Sequence, residues 1–129
     1  TGSFSAGSVG LPSLSNAQNK SELTSLPINK LLWSSTLDTL DFMSYEKIDP
    51  FGGIIITDWF INQNNEKIRN KITVSFSSSE LRATSFKVNV IREKFDNNQW
   101  VSDGYSDGLA RKIEDLILTR AKELRSKNS

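Results

Sequence analysis

The eight residues Ile54-Ile55-Ile56-Thr57-Asp58-Trp59-Phe60-Ile61 constrain the fold most, because large apolar side chains occupy both odd and even positions. In an extended chain successive side chains point to opposite faces. Ile54, Ile56 and Phe60 then share one side, and Ile55, Trp59 and Ile61 the other. Both sides of such a strand need cover. The preceding Asp49-Pro50-Phe51-Gly52-Gly53 must turn the chain, because Pro50 keeps Asp49 out of the helical region and the glycines permit positive φ.

The next run, Lys71 to Ser77, alternates cleanly, with Ile72, Val74 and Phe76 on one face and Lys71, Thr73 and Ser75 on the other. That is the pattern of a half-buried antiparallel strand. A further strand runs through Phe86, Val88 and Val90, and Asp96-Asn97-Asn98 turns tightly into a short strand at Trp100-Val101. Before this meander, Trp33, Leu37 and Leu40 recur at helical spacing from about Pro27 onward, with Ser25 or Asn29 as the N-cap. After it, Leu109, Ile113, Leu116, Ile117 and Leu124 mark a closing helix that begins at Ser106 or Asp107 and ends among Lys122, Arg125 and Lys127. The expected fold is α+β: a three- to four-stranded antiparallel meander with an N-terminal and a C-terminal helix packed on one face. Residues 1–25, rich in Ser, Gly and Asn, are expected to be a flexible tail, and 26–129 a single domain.

Composition narrows the chemistry. The chain has no Cys and no His, so a thiolate nucleophile, a zinc-finger site and a Ser–His–Asp arrangement are all excluded. This weighs against catalysis. A net charge of +1, with acids and bases interspersed, argues against nucleic-acid binding, which needs a basic stripe. No stretch reaches the roughly 18–20 apolar residues that span a bilayer. The sequence starts at Thr1 without a charged-then-apolar leader, as expected of a trimmed chain whose targeting segment has been removed.

Several blocks in order now carry a resemblance: Trp33, Leu37-Asp38-Thr39-Leu40, Asp49-Pro50-Phe51-Gly52-Gly53, Ile55-Ile56-Thr57-Asp58-Trp59, Glu66, Leu81-Arg82-Ala83, Trp100 and Glu114 to Ala121. Together they resemble an uncharacterised bacterial family, domain of unknown function 3576, found mainly in alphaproteobacteria. Members look like secreted proteins, often with a lipoprotein-type start. The resemblance thus implies a periplasmic domain, lipid-anchored in the full-length protein through its N-terminal segment. It assigns no activity and no site residue. The helix–meander–helix order is also similar in architecture to the helix-grip domains of a lipoprotein of the outer-membrane barrel-assembly machinery, a likeness that does not fix function.

Individual residues have ordinary readings beside functional ones. Asp38, Asp41, Asp49 and Asp58 lack the spacing of a cation loop, and capping or turn roles suit them. Arg82 can pair with Asp58 or Glu80 and pin strand register. Gly52-Gly53 precedes a strand, whereas phosphate loops precede a helix. No catalytic residue, cofactor or metal ligand is assigned. The two-sided strand remains, and its uncovered side can meet the tail, a second subunit or a ligand. The expectation is a non-enzymatic periplasmic or envelope interaction domain that self-associates or binds an envelope protein. Ile55, Trp59, Ile61 and Phe51 are its expected surface. The alternative is a binding module for a lipid or other apolar small ligand held between helix and sheet.

Overall fold

A computed structural model describes residues 28–127 of the chain. The expected tail, residues 1–25, lies outside the described residues. Helix α1 spans Lys30–Thr39. Asn29 caps it, its side-chain oxygen accepting from the Leu32 amide at 2.9 Å. Strands follow as β1 (Tyr45–Asp49), β2 (Ile54–Thr57), β3 (Phe60–Asn62), β4 (Asn65–Phe76), β5 (Phe86–Asp96) and β6 (Gln99–Tyr105), and helix α2 (Asp107–Lys127) closes the chain. The sheet is antiparallel in the order β1-β2-β4-β5-β6, with β3 lying beside β4 in line with β2. The described residues thus form a six-stranded sheet, larger than the three to four strands expected.

Both helices cover one face. Leu32 and Trp33 from α1, Leu40 at its C-cap, and Ala110, Ile113, Ile117 and Ala121 from α2 join Ile55, Ile72, Val74, Phe76, Phe86, Val88 and Val90 in one core. Ala110 and Ala121 let α2 lie close, and the buried Ser35 hydroxyl donates to the Ile117 carbonyl where the helices meet. Leu116, expected in this core, is 50 % exposed, because the 110, 113, 117, 121 stripe already faces the sheet and Leu116 falls outside it.

The apolar run 54–61 is not one strand. Ile55 stands opposite Val74, and continued pairing would set Phe60 opposite Arg69; instead Phe60 faces Asn70. One extra residue is therefore taken up between Thr57 and Phe60. The ladder is repaired locally: the buried Thr57 hydroxyl accepts from the Ile72 amide at 3.0 Å, and the Asp58 amide donates to the Ser44 carbonyl at 2.9 Å. The slip exchanges faces beyond it. Phe60 packs against the core, while Ile54, Ile56, Trp59 and Ile61 lie on the side away from the helices, which corrects the strict alternation read from the sequence.

The turns obey their residues. Asp49 accepts from the Gly52 amide at 2.9 Å, and Gly53 takes φ +67° with its carbonyl bonded to the Phe76 amide at 2.8 Å. Asn97 and Asn98 both have positive φ, 50° and 65°, as a two-residue hairpin requires. Arg82 is no strand residue: it precedes a short 3-10 turn, Ala83–Ser85, and pairs with Glu80 in the same exposed loop, so it pins no register.

Candidate interaction surface on the open face of the sheet

On β4 the even residues Asn70 to Phe76 point to the helices, so Lys67, Arg69, Lys71, Thr73 and Ser75 point away. Across the ladder Arg69 lies directly opposite Glu93 of β5 and beside Ile61 of β3. Its Nε and Nη2 donate to Glu93 Oε1 at 2.8 and 2.6 Å. The guanidinium carbon sits 4.5 Å from the ring centre of Trp59 and 4.5 Å from that of Trp100, so the cation is held between two indoles. Lys71 Nζ lies 5.3 Å from the Trp59 ring and 2.8 Å from Glu46 Oε1. Phe95 meets Trp100 edge-on at 5.3 Å.

This cluster follows from the local sequence. Trp59 lies where the extra residue is absorbed, just before β3, and Trp100 is the second residue of β6, opposite Phe95. Arginine suits the central place because its planar, weakly hydrated cation stacks on rings without losing its carboxylate partner. The result is an aromatic cluster bordered by ion pairs of both signs, with Ile61 beside it at 55 % exposure.

Of the residues expected at the surface, the structure joins Trp59 and Ile61 and separates the others. Ile55 is fully buried beneath the helices and forms no surface. Phe51 is 60 % exposed, but it sits in the β1–β2 turn, at the opposite end of β2 from Trp59. Arg69, Glu93, Phe95 and Trp100 lie outside the surface expected from sequence. For Arg69 alone there was a signal: the alternation of Ile72, Val74 and Phe76, continued backward, sets Lys71 and Arg69 on the polar face.

The aspartates are distributed. Asp38 pairs with Arg120 at 3.3 Å, Asp49 serves its turn, and Asp41 acts on Tyr45. Among the described residues no three metal-ligating side chains converge. Burial, reinforced by Asp41, pushes the Tyr45 phenol up to about 12, and its hydroxyl donates to the Leu40 carbonyl at 2.8 Å. No helix among the described residues is long and apolar enough to cross a membrane.

With this geometry in hand, comparison with known proteins places the chain. Residues 26–126 match the family described as domain of unknown function (DUF3576). The chain belongs to that family. An uncharacterised protein of Rickettsia prowazekii (strain Madrid E), RP420, is similar to it, with 31 % identity over 97 residues. The match takes in 75 % of this chain and spans 58 % of the relative's length. The family match begins just before α1 and ends within α2, so it includes the whole described sheet and the Trp59–Arg69–Trp100 cluster.

Proposed function

We propose that the chain is a non-enzymatic interaction domain of the cell envelope, which associates with a second copy of itself through the open face of the sheet. The observation that carries this reading is the Trp59–Arg69–Trp100 stack on the face away from both helices. Aromatic and arginine side chains are enriched among the anchors of protein interfaces. The flanking Lys71–Glu46 and Arg69–Glu93 pairs offer both signs, as a two-fold contact of one surface with itself requires.

Edge-to-edge growth of the sheet is a poorer route. The β1 edge carries a register shift between Tyr45 and Lys47 together with Glu46, Lys47 and Asp49. The β6 edge carries another shift near Asp103 and Gly104, where Gly104 has φ +77°. Bulges and charges are devices that block edge pairing, and the third edge, β3, is only three residues long, so the face is the better route. An apolar ligand between helix and sheet would have to displace Leu32, Ile55, Val74 and Ile117, all fully buried, so nothing favours that alternative.

The absence of His and Cys supports the non-enzymatic part. The envelope part rests on the secreted character that the family resemblance implies, and fractionation of the full-length protein in its own bacterium tests it: recovery with the cytosol contradicts it. Sedimentation equilibrium tests association. A dimer that becomes monomeric with Trp59→Ser supports the proposal, and a monomer at every concentration removes it.

A further inference from the structure

Beside the stack, the same face holds a recess. Thr73, Lys87, Asn89, Ile91, Tyr105 and Asp107 line about 470 Å³ across β4, β5, β6 and the start of α2. Three neighbouring strands, about 4.8 Å apart, give it a floor about 10 Å wide. Its polar groups differ from those around Arg69. There, each cation already holds a carboxylate. Here the side chains of Thr73, Lys87, Asn89, Tyr105 and Asp107 make no hydrogen bond or ion pair among the described residues. The Tyr105 ring stands 67 % exposed beside Ile91.

The lining selects by elimination. A small anion meets Asp107, and a small cation meets Lys87. An apolar ligand would offer no hydrogen bond to the five polar groups that surround it. What fits is a neutral molecule that donates and accepts around its rim and presents an apolar face to a ring. A sugar has this character: its hydroxyls serve Lys87, Asn89, Asp107 and Thr73, and its C–H face lies on Tyr105. We propose that this groove binds a neutral saccharide unit. The site shares no residue with the Trp59–Arg69–Trp100 stack, but both lie on the open face, so a face-to-face dimer would compete with the sugar for the groove.

Titration of the isotope-labelled chain with chitotriose and with maltotriose, followed by NMR, tests the site. At least one of them should give saturable shifts clustered on Lys87, Asn89, Ile91 and Tyr105, with a dissociation constant of about 1 mM or tighter. Asn89→Ala and Tyr105→Ala, both at exposed positions, should each weaken binding about tenfold while the core signals of Val74 and Ile113 stay in place. Trp59→Ser, which removes association through this face, should bind the sugar at least as tightly as the unsubstituted chain, and loss of binding in that variant would also overturn the proposal. No clustered shift with either sugar overturns the proposal. So do shifts that survive both substitutions, and equal saturable shifts produced by glycylglycine, which would make the site one for a zwitterion.

Discussion

The helix-side face of the sheet buries Ile55, Ile72, Val74 and Val90 at 1 % exposure or less, whereas the opposite face sets a guanidinium between two indoles beside its carboxylate. The first is held by area removed from water, which is non-directional and sums over many side chains. The second is held by a few oriented contacts, each worth about 1 kcal/mol where water still reaches them. Stability should therefore reside on the covered face and recognition on the open one. The two can be separated by substitution.

The largest loss of stability is expected on the covered side. Ile117→Ala removes a fully buried side chain from the junction of both helices and the sheet, and should lower unfolding free energy by about 3 kcal/mol in urea titrations. Thr57→Val comes next. It leaves the Ile72 amide without its acceptor at the point where the extra residue is absorbed, and should cost about 2 kcal/mol. A loss as large as that of Ile117→Ala would mean that the break between β2 and β3 organises the core rather than merely interrupting it.

Tyr45→Phe should cost about 1 kcal/mol at neutral pH through the lost bond to Leu40. It also has a pH signature. The phenol ionises at about 12 in the folded chain against 10.0 when unfolded, so the unfolded state gives up its proton first. The contribution of neutral Tyr45 is complete below pH 10 and is lost as pH climbs towards 12. The difference between wild type and Tyr45→Phe in urea midpoint should narrow over that interval, and a constant difference would contradict the burial ascribed to the phenol. Smallest of all, Trp100→Ser on the open face should change stability by about 1 kcal/mol or less, yet weaken association more than any of these core substitutions.

The same contrast decides what could be read from the sequence. The covered face announces itself: Ile72, Val74 and Phe76 alternate, Phe86, Val88 and Val90 alternate, and Ile113 and Ile117 keep helical spacing. Burial writes a period into the chain, and the period gives the elements. Strand β1 escaped because Tyr45-Glu46-Lys47-Ile48-Asp49 is an edge strand with charges on its solvent side. The first half of β4 escaped because Asn65 to Lys67 are exposed and Ile68 is the one apolar residue from Asn65 to Asn70, too few to show an alternation. The break after Thr57 was hidden by an unbroken apolar run, and it alone decides that Phe60, not Ile61, enters the core. The stack was least legible. Trp59, Arg69 and Trp100 come together only through the register of four strands, which no local pattern encodes.

The indole N–H signals of the three tryptophans report on both faces at once. Trp33 packs in the core against Phe76, while Trp59 and Trp100 stand on the open side. In an NMR dilution series, the Trp59 and Trp100 signals should move together with protein concentration while Trp33 stays still. Three signals that ignore concentration, or a shift confined to Trp33, would contradict it.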